Sequence, residues 1–594
     1  MFWDPLFDKA SDLLGSPPDQ LKLIFSLLIS YPLGSLYVRL PPSKPYLAHL
    51  FSILVSTFVV VFLLEMRTGM LHLLFSISGT YIISATLKGK NMPWIAFTFV
   101  MGHLLYNHIH RNLIGTSASA IEITGSQMVL AMKLTTFAWN VHDGRQKAED
   151  LDASQLETRL VELPSPLAFL GYCLFFPSIL PGPSFDYATY DALVHHTIYR
   201  VPPPGSSAEQ AKAAKKRLPY GRKRVAYLHL FIGLIFLGIY ATYSTKFAYE
   251  RILTPVWYEW TPLYRLVFVQ LAGFLARTKY YAVWSLSEGA CILTGIGFNG
   301  YDPKTGRTLW NRVRNINIIS IETAPSFKVL FDSWNCRTNV WLRDVVYKRL
   351  TKKGKKPGTK QSMATFVTSA FWHGIDPGYY LAFVLGGVLT SLGRQFRRFI
   401  RPYFLPVNSS ADTPPTLSKR AYDLIGRIVV QLTLNYTACA FILLGFRDCI
   451  TAWNRMWWYT HILVIVTMAF FHFGGRRSLR KGLEKRGKLP VGSTKDEDQG
   501  REKEKRRSPP PSFKISPPSP TISASHAQPP PAPEDERDPK DLRWVRHALD
   551  NPPYADGGEA MGNGFNSPDG GWVDDLVEGI ETPSAEKVNP FKTE

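Results

Sequence analysis

The sequence predicts an all-α, polytopic membrane helix bundle followed by a disordered C-terminal tail, and three observations carry that expectation. Long apolar stretches rich in Leu, Phe, Trp and Tyr recur up to about residue 475. Beyond that point the composition changes to Pro, Ser, Lys, Arg and Asp, with too little apolar surface to offset the ordering of a chain. Clusters of basic residues sit between the apolar stretches. The mean hydropathy of −0.05 averages two unlike regions and describes neither. The expected division is a transmembrane domain at 1–475 and a basic, Pro-rich cytosolic tail at 476–594.

A helix needs about 20 mostly apolar residues to cross about 30 Å of hydrocarbon. In chain order the stretches approaching that length are 23–38, 47–64, 70–87, 94–106, 167–180, 226–243, 263–275, 281–296, 379–392, 425–444 and 458–473. The N-terminal MFWDPLFDKASDLL lacks the basic region, short apolar core and small-residue cleavage site of a secretory signal, so the first stretch is expected to be retained as a helix. Asp4, Asp8, Asp12 and Asp19 outnumber Lys9 and Lys22, which places that end in the lumen. A basic run after residue 473 places the tail in the cytosol, so the number of crossings is odd and about 11.

The net charge of +21, from 68 basic and 47 acidic residues, resides largely in clusters at 212–224, 348–356, 394–401 and 476–488. Cytosolic loops beside membrane segments carry such excess Lys and Arg, and anionic headgroups attract it. Membrane lipids are therefore the expected partner, and nucleic acid is not. The loop at 198–223 has the composition of a mobile linker. Five cysteines (173, 291, 336, 439 and 449) form no paired spacing, so no disulfide scaffold and no metal site is expected.

Several local patterns mislead or stay open. GIGFNG (295–300) matches a dinucleotide fingerprint literally, but an apolar span precedes it and no strand frames it. HLLYNHIHRN (103–112) gathers His103, His108 and His110, yet no carboxylate or cysteine completes a metal set; hydrogen-bonded histidines are the expectation. Lys133, in an apolar run, is expected to snorkel to the interface. Glu288 lies inside an apolar span, where a carboxylate is costly; a paired structural group and a role at the site both remain open.

Two stretches carry the chemistry. In FDSWNCRTNVWLRDVVYKR (331–349), a helix would put Trp334, Thr338, Trp341 and Val345 on one face and Asn335 on the next. In FWHGIDPGYY (371–380), His373 precedes Asp376-Pro377-Gly378, which permits a break within the membrane, although one continuous crossing competes with it. Imidazole titrates nearest neutrality and can accept a proton from a hydroxyl. An amide can donate to a developing oxyanion without carrying charge. Base and uncharged donor together suit acyl transfer in a low dielectric, while a core histidine is the plainer alternative.

At these residues the sequence resembles the membrane-bound O-acyltransferase (MBOAT) family, and within it the lysophospholipid acyltransferase branch of broad-specificity fungal type. WNCRTNVWLRDVVYKR (334–349) and FWHGIDPGYY carry the resemblance, with support from KLTTFAWNVHDG (133–144), FFPSILPGPSFDY (175–187) and the stretch 279–302. The resemblance implies an endoplasmic reticulum enzyme that uses acyl-CoA as co-substrate, needs no other cofactor, and esterifies a lysophospholipid hydroxyl, mainly at sn-2. It implies His373 as the base and Asn335 as its partner. Trp334, Thr338, Trp341, Arg349, Trp372 and Glu288 would shape the substrate site. FDSWN has Ser333 where the sterol and diacylglycerol branch carries Trp, which favours the lysophospholipid branch. Another hydroxyl acceptor, or a non-enzymatic transporter, is the alternative.

Overall fold

The computed structural model describes residues 3–115, 121–201, 218–302, 305–351, 359–406 and 414–488. Helices dominate: α1 (Asp4–Leu14), α2 (Pro18–Tyr37), α3 (Pro45–Thr57, extended by a π turn at Phe58–Leu63), α4 (Arg67–Thr86), α5 (Met92–Leu113) and α6 (Ile123–Gly144). The short α7 (Pro166–Cys173) is followed by α8 (Arg222–Tyr243) and α9 (Pro262–Thr294). Next come α10 (Cys336–Trp341, continued by a π turn at Leu342–Tyr347), α11 (Thr359–His373), α12 (Pro377–Gln395), α13 (Leu417–Leu443) and α14 (Tyr459–Phe470). The protein is thus an all-α, multi-pass membrane protein.

Five helical stretches among the described residues are long and apolar enough to cross a membrane by length and composition, namely 45–63, α4, α8, α13 and 459–485. The expected eleven differ from these for physical reasons. The stretches 263–275 and 281–296 are not two crossings but one helix, the 33-residue α9. The stretch 167–180 is an eight-residue helix and a 3-10 turn, too short to span. Meanwhile α6, which its polar residues hid from a hydropathy count, is a 22-residue helix buried along most of its length. Lipid-facing helices advertise themselves by apolarity; a helix wrapped by other helices can carry polar groups that find partners there.

Two hydrophobic clusters make up the interior. One is built around α6 with α3 to α5, α7, the end of α9, and Trp341 and Trp372. The other gathers the middle of α9, residues 316–330, α12, α13 and the start of the C-terminal helices. Trp372 belongs to the first and Ala382, ten positions on, to the second, so the turn between α11 and α12 lies on the seam. The tail expected at 476–594 begins with a described helix, Arg476–Lys485, and its remainder from 489 lies outside the described residues. Most of the linker expected at 198–223, and the basic residues at 352–356, lie outside them too.

Candidate active site

The Asn335 half of the site is a turn, not a helix face. Trp334 is extended, Asn335 takes left-handed dihedrals (φ 47°, ψ 50°), and α10 begins only at Cys336. The expected helical face joining Trp334 to Thr338 therefore does not exist. Asparagine is among the few residues that enter this conformation readily, because its short polar side chain bonds locally.

Asn335 occupies the N-cap position without capping. Asn315 does that work instead: its carbonyl accepts from Cys336 N–H at 2.8 Å, and its Oδ1 accepts from Arg337 N–H at 3.3 Å. Relieved of capping, Asn335 receives the Thr338 hydroxyl at Oδ1, 2.8 Å away. Its Nδ2 has no hydrogen-bond partner among the described residues, so the amide is held by its oxygen and presents its donors.

Glu288 belongs to the support of this turn. Fully buried on α9, its Oε2 accepts from Asn315 N–H at 3.2 Å, and His229 Nε2 lies 3.8 Å from its other oxygen. Trp334 packs edge-on to Tyr280 and Trp284, with centroids 5.5 and 5.2 Å away. Its carbonyl accepts from the Asn339 amide at 2.9 Å, closing the turn.

The His373 half ends a helix. α11 stops at His373 because Gly374 adopts φ 142°, which favours glycine, and Pro377 cannot continue a helical ladder. The break at 374–376 is present, and the single continuous crossing is not. Gly378, at the start of α12, donates its N–H to Leu444 O at 2.8 Å, and a Cβ there would lie 2.2 Å from the Ala440 carbonyl. The second glycine of the motif thus allows α12 to press against the end of α13.

The partly buried imidazole of His373 sits among rings: Trp372 at 4.6 Å, Phe441 at 5.0 Å, Phe383 at 5.2 Å and Tyr379 at 5.5 Å between centroids. Neither ring nitrogen has a hydrogen bond among the described residues. A satisfied core histidine would show one. Phe383 and Phe441 were not legible as neighbours, since nothing in their local pattern differs from lipid-facing phenylalanines.

α6 brings the halves together. Trp372 Nε1 donates to Met128 O at 2.9 Å, Thr338 Oγ1 lies 3.3 Å from Met132 Sδ, and Trp341 Nε1 donates to Thr135 Oγ1 at 2.8 Å. Positions 128, 132 and 135 share one helical face. At 1.5 Å per residue, the two halves grip α6 at levels only about 6 Å apart. The Trp341 and Trp372 rings meet directly at 5.8 Å. Lys133, on the same helix, does not snorkel: it is buried, its Nζ donates to Tyr172 O at 2.8 Å, and it lies over the Tyr172 and Phe185 rings. A helix enclosed on all sides offers it no interface to reach. The histidine-rich stretch is likewise hydrogen-bonded, His103 to His72, Ser76 and Gln127.

Beyond Trp341 a cleft runs to the far end of α6, lined by Trp139, Asn140, Arg337, Lys348 and Arg349. Arg349 forks onto the buried Asp143 carboxylate and stacks over Trp139 at 4.1 Å, so it forms part of the wall. Lys348 reaches Asp152 at 2.8 Å. Burial pulls the Asp152 carboxyl upward, but this ammonium and the Gln155 N–H outweigh it and hold it below its ordinary value.

Residues 113–438, more than half of the chain, match the family described as MBOAT, membrane-bound O-acyltransferase family. The chain belongs to the membrane-bound O-acyltransferase family. It is 37% identical to a lysophospholipid acyltransferase of Schizosaccharomyces pombe over 81% of this chain and 91% of that protein. It is 38% identical to a lysophospholipid acyltransferase of Saccharomyces cerevisiae over 80% of this chain and 77% of that one. A more distant relative is membrane-bound glycerophospholipid O-acyltransferase 2 of Gallus gallus, 28% identical over 83% and 92% respectively. This MBOAT chain therefore shares an acyltransferase lineage along both the Asn335 turn and the His373 break.

Proposed function

We propose that this protein is an acyl-CoA:lysophospholipid acyltransferase, esterifying the free hydroxyl, mainly at sn-2, in phospholipid remodelling and synthesis. His373 is the base: it takes the proton of the acceptor hydroxyl as that oxygen attacks the thioester carbonyl of acyl-CoA. Asn335 Nδ2 donates to the oxyanion of the tetrahedral intermediate. Collapse breaks the C–S bond, and the proton held by His373 passes to the departing sulfur, leaving free CoA and a diacyl phospholipid. No metal or prosthetic group enters this scheme. The observation that carries it is that two uncharged groups, both braced against α6, keep unpartnered polar atoms among the described residues.

The orientation follows the same logic. Taking the five long apolar stretches with α2, α5, α6, α9, α11 and α12 makes eleven crossings, with the N-terminus lumenal and the tail cytosolic in the endoplasmic reticulum membrane. Contacts between like ends agree: Lys22 pairs with Glu65, Asn112 with Asp376, and Arg145 with Leu87 O. The cleft at Lys348 and Arg349 then faces the cytosol and suits the anionic CoA moiety. Trp334, Thr338, Trp341 and Trp372 shape the inner site, while Glu288 and Arg349 hold its walls.

The test is an assay of the purified full chain for CoA release and esterified product across lysophospholipid headgroups, beside His373→Ala and Asn335→Ala. Turnover in the wild type and its loss in both variants is expected. Normal turnover in a folded His373→Ala protein would remove the base assignment. Absence of turnover with every lysophospholipid would move the reading to another hydroxyl acceptor.

A further inference from the structure

We infer that His108, on α5, is a positioning residue for His373; this rests on the reading of His373 as the base. A helix leaves its last carbonyls without intrahelical partners. At the end of α11 these include the carbonyl of Trp372, one peptide from the imidazole. His108 supplies the missing donor: it is buried, and its Nε2 lies 3.3 Å from Trp372 O. No other hydrogen bond to the His108 ring occurs among the described residues, so the proton sits on Nε2.

The same side chain also meets the far side of the candidate base. A Cβ on Gly374 would lie 3.7 Å from His108 Nδ1, so the imidazole of His108 flanks both peptides that bracket His373. One turn along α5, Asn112 donates to Asp376 Oδ1 at 3.2 Å. Positions 108 and 112 share a helical face, so α5 grips the 374–376 turn at both ends. Because the His373 ring nitrogens take no hydrogen bond from the described residues, its rings of neighbours set the plane and its backbone sets the depth. His108 acts on the depth.

The test compares wild type, H108Q, H108N and H373A as full-length purified protein, with kcat and KM measured separately for acyl-CoA and a lysophospholipid. A glutamine amide nitrogen reaches the place of Nε2; an asparagine, one methylene shorter, does not. A displacement of about 1 Å at a reacting group costs up to about 100-fold, so H108N should lose about tenfold or more in kcat with both KM values within about twofold. H108Q should keep kcat within about threefold of wild type. Should H108N fail to fold, H108Q decides alone: a loss in kcat of about tenfold overturns the inference.

An unchanged kcat in H108N beside an inactive H373A also overturns it, while leaving the base assignment standing. A raised KM at constant kcat overturns it too, because His108 would then touch substrate. An active H373A removes the base reading and the inference with it.

Discussion

Thr338→Val offers a sharp probe of how the Asn335 amide is aimed. The substitution is isosteric and removes one hydroxyl, which donates to Asn335 Oδ1 at 2.8 Å and otherwise faces only Met132 Sδ. The site is buried and Asn335 Oδ1 loses its donor, so stability should fall by about 1 kcal/mol, with the fold retained. A hydrogen bond of this kind is worth about 1 kcal/mol. If it is spent holding the amide with its donors outward, losing it lowers kcat about fivefold. Asn335→Ala removes the donors outright and should cost about 100-fold or more. The double variant should be no slower than Asn335→Ala, since Thr338 acts only through that amide. CoA release under saturating substrates reads the rates, and a thermal melt followed by size exclusion reads the folding. A wild-type rate in Thr338→Val, or additive losses in the double variant, would refute this account.

Gly378→Ala places a Cβ 2.2 Å from the Ala440 carbonyl, so α12 must move off α13. Overpacking of this kind costs about 1–3 kcal/mol, and a lowered melting temperature with reduced monodisperse yield is expected. Glu288→Leu leaves Asn315 N–H buried without an acceptor, at about 1–3 kcal/mol, whereas Glu288→Gln keeps an oxygen for it. The leucine variant should melt lower and the glutamine variant near wild type; equal melting of the two would count against the support role of Glu288.

Legibility differed between elements for reasons that can be named. α3, α4, α8, α13 and α14 were visible because their outward faces meet lipid, and a run of Leu, Val, Ile and Phe is what lipid demands. α6 escaped the count because its neighbours are protein: Lys133 is stabilised there by a carbonyl and aromatic faces and Asp143 by Arg349, none of which a window of hydropathy contains. The stretches at 263–275 and 281–296 read as two because Arg277 and Lys279 interrupt the apolar run. In the fold Arg277 is buried against Glu322, so α9 continues through it.

The sequence by itself determined the class of the protein, singled out Asn335 and His373 as the candidate pair, and permitted the break after His373. Those depend on local chemistry: apolar length, a Pro and two glycines that only certain backbones accept, and side chains able to move a proton or donate to an oxyanion. Only the tertiary structure decided that Asn335 sits in a left-handed turn capped by Asn315, which Glu288 in turn supports, that the Thr338 hydroxyl bonds its amide oxygen, and that α5 reaches the break through His108 and Asn112. Apart from the Thr338 bond, which spans three positions, each of these is a contact between residues far apart in the chain. Their partners are chosen by packing around α6, and no short stretch of sequence records which side chain will arrive from another helix.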